Sequence, residues 1–263
     1  METLLLIIAV LPAVILGIIV YKNDKLEKES SKLLLKLLMG GLGAIALTLL
    51  FSLIFMILFP FFSESDNLDL FSLLIYCFIE VALIEEFSKW FFLKKITWNN
   101  SEFNHIYDAI VYASFVSLGF ATIENIMYVL QAGIFVGLGR AILSVPAHLF
   151  FGIFMGYFYG LSKQAEYNGN AKLFKKNMLL SILVPTILHG IFDYCLFSGL
   201  IPLIIFFLIF VIFLYIKAFK TLKRVSKVSS NFEENIIDTE YCYNCGSKLN
   251  GMYCHNCGTK KLE

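Results

Sequence analysis

Charge is what this chain has least of. Only 16% of its 263 residues are Asp, Glu, Lys or Arg, and they balance to +1, which excludes the clustered basic surface that nucleic-acid binding needs. Proline is scarce as well, with five in all, so little interrupts long helices. Four histidines occur without an H-E-x-x-H pair, and the helical zinc-hydrolase signature is therefore missing. No internal repeat and no paired broken helices are present, which removes the usual sequence marks of a secondary transporter. Ser88 and Ser144 have no base partner legible in the sequence, so a serine acyl-enzyme route is unattractive.

What is abundant is apolar. Hydrophobic residues make up 59% of the chain, aromatics 16%, and mean hydropathy is +0.77, against roughly 45–50% apolar content in soluble domains. The composition predicts an all-α polytopic membrane protein. A crossing takes about 20 mainly apolar residues at 1.5 Å each to span a core of about 30 Å. Seven segments qualify, near 3–21, 38–62, 68–93, 107–131, 134–161, 177–197 and 199–217, and a re-entrant stretch at "GIFVGLGR" would change that count by one. The first segment lacks a basic n-region and a small-x-small cleavage site, so it reads as a retained helix rather than a signal peptide.

Lysine and arginine orient the bundle. Lys22, Lys25, Lys28, Lys32 and Lys36 follow the first segment, Lys94 and Lys95 the third, and Lys163, Lys172, Lys175 and Lys176 the fifth; Lys217, Lys220, Lys223, Arg224 and Lys227 follow the seventh. The loops between, "SESDN", "QAG" and "SG", hold none. The expected placement is the cell membrane, with the N-terminus outside and the C-terminus in the cytosol.

After Thr221 the apolar pattern stops, and 221–240 reads as a polar linker. Residues 241–259 then hold Cys242, Cys245, Cys254 and Cys257 as two C-x2-C pairs separated by eight residues. Four thiolates so spaced in a reducing compartment predict a closed structural zinc site, a zinc ribbon without chemistry of its own. Its plausible use is docking a cytosolic protein partner.

Chemistry must therefore lie among the polar residues inside the apolar segments. A charged side chain at a helix centre costs about 2.5–3.5 kcal/mol on insertion scales, so such residues face a partner or a cavity. They concentrate in segments three to six: Glu80, Glu85, Glu86 and Lys89, then Asp108, Glu124 and Asn125, then Arg140 and His148, then His189 and Asp193. His189 and Asp193 are four apart on one helix face, so the carboxylate can orient the ring. Lys89 is four residues from Glu85 and three from Glu86, so one lysine neutralises either glutamate but not both; its other reading is a side chain snorkelling to the cytosol. Adjacent carboxylates in a low dielectric resist ionising together, which leaves one as a base. At about 1.5 Å per residue, Glu85, His148 and His189 fall within about 6 Å of their helix midpoints, and they can meet. The bland reading of each residue alone is interhelical packing or hydrogen bonding; Arg140 and Glu124 in particular can simply pair.

The ordered set "EEFSK", "DAIVYASFVSLGFATIENIMY", "SVPAHLFFG" and "HGIFDY" resembles the PrsW family of intramembrane proteases, itself similar to the CAAX prenyl endopeptidase and bacteriocin-processing superfamily. The resemblance covers roughly residues 70–197, the catalytic core of a protease domain spanning 1–220. It implies a peptidase that cuts a single-pass membrane protein, such as an anti-sigma factor, in sigma-factor regulation. By motif, Glu85 and Glu86 match the paired glutamates, His148 the middle histidine, and His189 with Asp193 the last motif; Glu124 and Asn125 match an acidic-amide pair. The superfamily often carries arginine where this chain has Lys89, and Asn where it has Asp193.

These residue types suit peptide hydrolysis with Glu85 as base, His189 positioning the water and His148 donating to the oxyanion, and with Lys89, Glu124, Asn125 and Arg140 in support. Two histidines with carboxylates are equally a zinc ligand set, and the sequence leaves a catalytic metal open. Two readings from other classes also stand: a proton-coupled transporter and a non-catalytic scaffold docking partners through its zinc ribbon.

Overall fold

The structure is a computed structural model that describes residues 2–24, 27–63, 68–228 and 231–232, with residues 242, 245, 247–249 and 253–259 of the C-terminal module. Lys25, most of the "SESDN" loop and half of the expected linker lie outside the described residues.

The chain folds as helices in sequence: α1 (Glu2–Asn23), α2 (Ser31–Leu58), a 3-10 turn (Pro60–Ser63), α3 (Leu70–Ile75), a π-helical segment (Tyr76–Leu83), α4 (Ile84–Thr97), α5 (Ile106–Ala132), α6 (Ile134–Ile142), α7 (Ser144–Tyr167), α8 (Ala171–Phe197) and α9 (Ile201–Val228). Six helical stretches are long and apolar enough to cross a membrane. The expected third crossing (68–93) is the continuous helix Leu70–Thr97, whose glutamates and lysines set it apart from the apolar six.

Local chemistry explains where the helices start. Ser30 caps α2 by accepting from Leu33 N, Asp69 caps α3 by accepting from Phe71 N and Ser72 N, and Asn170 caps α8 through Leu173 N. Asp108, expected among the intramembrane polar residues, closes a capping box at the start of α5, its Oδ2 accepting from His105 N at 2.6 Å. The expected fifth crossing is divided: α6 ends at Ile142 and α7 begins at Ser144.

α5 is the axis of the bundle, packing most extensively on α7, then α2 and α1. The approach is close because side chains are missing where backbones cross. A Cβ on Gly41 of α2 would lie 2.4 Å from Phe120 N on α5, and one on Gly156 of α7 would lie 2.4 Å from Ala109 O. Large residues fill the rest: Tyr107, Tyr112, Phe150, Phe151 and Tyr159 are fully buried. By contrast α1, α2 and α9 turn rows of leucine, isoleucine and phenylalanine outward, as lipid-facing helices do. α9 continues to Val228, into the residues assigned to the linker.

Candidate functional site

The π-helical segment sets the register of the helix after it. Widening the turn over Tyr76–Leu83 rotates α4 relative to α3, and α4 then presents Glu85, Glu86 and Lys89 inward, all three buried. α7 brings His148, α8 brings His189 and Asp193, and α5 brings Glu124 and Asn125.

Lys89 lies at the centre. Its Nζ donates to Glu86 Oε1 at 2.7 Å, to Glu85 Oε2 at 3.1 Å and to His148 Nδ1 at 3.1 Å, and it rests 4.1 Å from the centroid of the Phe120 ring. The two adjacent carboxylates thus converge on one ammonium, whose single charge can balance only one of them. The snorkelling reading is corrected, since Lys89 is 0% exposed, and an ammonium this deep persists only with its donors satisfied.

Each imidazole is held from two sides. His189 Nδ1 is 2.9 Å from Glu86 Oε1 and 3.9 Å from Glu85 Oε2, while Nε2 is 3.1 Å from Asp193 Oδ2. His148 Nε2 is 2.8 Å from Glu124 Oε2; with Nδ1 accepting from Lys89, Nε2–H donates there. Glu124 also pairs with Arg140, whose NH2 nitrogen is 2.8 Å from the same oxygen. Arg140 Nε donates to Asn125 Oδ1 at 3.3 Å, and Asn125 Nδ2 donates to Ala9 O at 3.0 Å. The structure thus brings together every polar residue singled out for the site.

These groups form the wall of a cavity of about 1030 Å³. Glu85, Glu124, Arg140, His148, His189 and Asp193 line it, together with Ser144; Glu86 and Lys89 do not. Glu86 lies behind the wall with Oε2 buried and without a hydrogen-bond partner among the described residues. The lining runs on to Leu68, Asp69 and Phe71 at the start of α3 and to Phe197 and Ser198 at the end of α8.

Three aromatic contributors were not foreseen: Tyr128, whose ring carries Arg140 at 4.0 Å, Phe151, stacked on His189 at 4.9 Å, and Phe120 beneath Lys89. Helical spacing offered a signal for two of them, since Tyr128 is four residues from Glu124 and Phe151 three from His148.

In the C-terminal module Cys242, Cys245, Cys254 and Cys257 present sulfurs within 4.8 Å of one another, with Cys242 to Cys257 and Cys245 to Cys254 both at 3.4 Å. They lie close enough to bind one metal ion.

Helices long and apolar enough to cross a membrane, enclosing a cavity lined by Glu85, Glu124, Asp193, His148 and His189, are the architecture of a polytopic membrane protein with a buried polar site. The profile of the PrsW family, described as "PrsW family intramembrane metalloprotease", matches residues 29–216. Curated relatives named Protease PrsW are similar to the chain, among them the following. That of Oceanobacillus iheyensis is 37% identical over 70% of this chain and 79% of its own length. That of Geobacillus kaustophilus is 34% identical over 72% and 78%, and that of Bacillus subtilis is 37% identical over 45% and 53%. No solved structure matches the chain. The chain belongs to the PrsW family of intramembrane proteases.

The family description carries a metal. Glu85, Glu86, His148 and His189 are donors of the right chemistry, within 4.8 Å of one another. As they stand, however, three of the four already hold the Lys89 ammonium, and the fourth shares Glu86 Oε1 with it. The arrangement does not fit a metal ion while Lys89 is in place.

Proposed function

We propose that the protein is an endopeptidase that hydrolyses a peptide bond of a single-pass membrane protein, using a water activated by Glu85. The observation that carries this reading is that Glu85 and His189 stand on the wall of one cavity, 3.9 Å apart, with Glu86 and Lys89 behind them. Glu85 takes a proton from the water as its oxygen bonds to the scissile carbonyl carbon. His189, oriented by Asp193, positions that water; His148, expected to donate to the oxyanion, instead accepts from Lys89 at Nδ1 and donates its one N–H to Glu124, and so holds Lys89 in place. Glu85 then returns the proton to the amide nitrogen as the C–N bond breaks. Each of these groups is supplied by the chain itself.

The basic loops and tail support an N-terminus outside and a cytosolic C-terminus. On that assignment the residues lining the far end of the cavity, Leu68 to Phe71 and Phe197 to Ser198, belong to the outer side, and the scissile segment enters from there. The resemblance points to an anti-sigma factor as substrate. The four cysteines are assigned a structural zinc, and the ribbon a cytosolic docking role, on a chain divided into a protease domain (1–220), a linker (221–240) and the ribbon (241–259).

The test is co-expression with a panel of tagged single-pass membrane proteins, anti-sigma factors included. The expected result is a shortened product that vanishes with Glu85→Gln and with His189→Ala. A product that survives both substitutions, or a panel left intact by the unaltered protein, overturns the reading.

A further inference from the structure

We propose that Lys89 is the resident cation of this site: its ammonium takes the position a divalent metal would hold among Glu85, Glu86 and His148, and so excludes one. The inference concerns the occupant of the site placed under Proposed function, and its test does not depend on cleavage.

The surroundings are built as a metal site is built. The four donor groups come from three helices and converge within 4.8 Å. Each imidazole is backed on its far nitrogen by a carboxylate, His148 by Glu124 at 2.8 Å and His189 by Asp193 at 3.1 Å, the arrangement that usually orients a metal-binding histidine. At the focus of that shell is an ammonium.

Its hydrogen bonds account for it fully. A lysine ammonium has three N–H donors, and Lys89 has three acceptors: Glu86 Oε1, Glu85 Oε2 and His148 Nδ1. The remaining side of the group meets the face of Phe120. Nothing is left over for solvent, in agreement with its zero exposure. A metal bound to the same oxygens and nitrogen would sit about 2.0–2.2 Å from each, which places it on the ammonium itself. Two cations cannot share those lone pairs. Nor can the ammonium step aside cheaply, because a buried charge stripped of its partners is strongly unfavourable.

The geometry also assigns the work that Lys89 does in a metal-free site. It ties Glu86 and His148 to one point and leaves Glu85 as the carboxylate that faces the cavity. Lys89 touches the reacting groups rather than the cavity, which makes it a positioning residue.

The decisive measurement is metal content of the full-length protein purified in detergent and equilibrated with excess zinc, then gel-filtered, with cobalt substitution as a second readout. With the unaltered chain, zinc is confined to the cysteine module, and cobalt shows thiolate charge-transfer bands alone. Lys89→Met, which removes the charge but keeps the length, gains one metal ion per chain with a nitrogen and oxygen ligand-field spectrum; Lys89→Arg, which keeps the charge, gains none. A second ion bound by the unaltered chain and lost in His148→Ala overturns the proposal, as does a well-folded Lys89→Met protein that takes up no more metal than the unaltered one. Should Lys89→Met fail to accumulate, the unaltered chain and Lys89→Arg decide the matter: a non-thiolate cobalt site in either overturns it. Failure of cleavage assays with metal counts as expected would instead count against the hydrolytic reading and leave the cation assignment standing.

Discussion

His148 of α7 and Glu124 of α5 face each other at 2.8 Å, imidazole Nε2 to carboxylate Oε2, and this contact fixes which way the ring points. With Lys89 donating to Nδ1, the ring cannot rotate without losing both partners. Glu124→Ala frees it and strands Arg140, whose guanidinium is 2.8 Å from the same oxygen. Misplacement on this scale costs about 10²-fold in rate, and cleavage of a validated substrate should slow by about that much. Glu124→Gln keeps an oxygen to accept from Nε2–H, and should retain more activity than the alanine variant. Equal losses in the two would show that the negative charge, not the orientation of the ring, is what matters.

The paired glutamates should separate cleanly in measurement. Glu85→Gln removes the base from the cavity wall but leaves Lys89 held by Glu86 and His148. Its cleavage rate should fall by about 10²–10⁴-fold, the usual contribution of a general base, with little change in thermal unfolding. Glu86→Gln keeps an oxygen for Lys89 and His189 but removes the negative charge paired most closely with a fully buried ammonium. Breaking a buried pair costs about 3–5 kcal/mol, so this variant should show a clearly lowered unfolding temperature. If the two variants were equally stable, the division of labour between the glutamates would be wrong.

A pH dependence of stability comes from the loop between α1 and α2. Glu29 is buried there, with Tyr112 Oη–H donating to its carboxylate at 2.7 Å. Burial first, and then the nearby Asp108, push its carboxyl up to about 9. A carboxyl raised in the folded state is protonated there while the unfolded chain is ionised, so folding takes up a proton between the ordinary carboxylate range and about pH 9. Stability should be greatest near pH 5 and decline steadily toward pH 9. His105, raised above its ordinary value by Asp108 against the opposing effect of burial, contributes in the same direction. Thermal unfolding in detergent across this range checks the sign, and Glu29→Gln should flatten the decline. A stability that climbs with pH would contradict the assignment.

Much of the site was readable because expense is readable. Glu85, Glu86, His148, His189 and Asp193 stand out in apolar helices where each must be compensated, and their order along the chain matches their convergence in space. Lys89 could not be resolved in the same way. Whether a lysine one turn from the expected end of its segment snorkels or turns inward depends on His148 and Phe120, which are remote in sequence, and α4 in fact runs on to Thr97. The break between α6 and α7 was only partly legible: a re-entrant stretch at "GIFVGLGR" was allowed for, and Ser144 and Pro146 in the first turn of α7 mark a helix start, but the apolar run on either side read as one crossing. Asp108 was mistaken for an intramembrane charge because its capping partners, the backbone N–H groups of Asn104 and His105, are invisible to composition.

The tail supplies the last case. Residues 221–240 read as a polar tether, yet Phe232 is 2% exposed. Its N–H donates to Asn104 O at 2.8 Å, and its ring lies 5.8 Å from both Phe103 and Tyr167. Phe103 in turn stacks on Tyr159 at 5.4 Å, and the Tyr159 hydroxyl is 2.9 Å from Thr97 Oγ1 at the end of α4. Phe232 is thus three contacts from the helix that carries Glu85 and Glu86. Removing a buried phenylalanine costs about 3–5 kcal/mol in a closed core, and at this partly open site the lower end applies. Phe232→Ala should lower the unfolding temperature and speed tryptic cleavage at the exposed Lys227, while Phe232→Leu should preserve most of the protection. If trypsin cut the alanine variant no faster than the unaltered protein, Phe232 would be a bystander, and the cysteine module would be joined to the protease core by α9 alone.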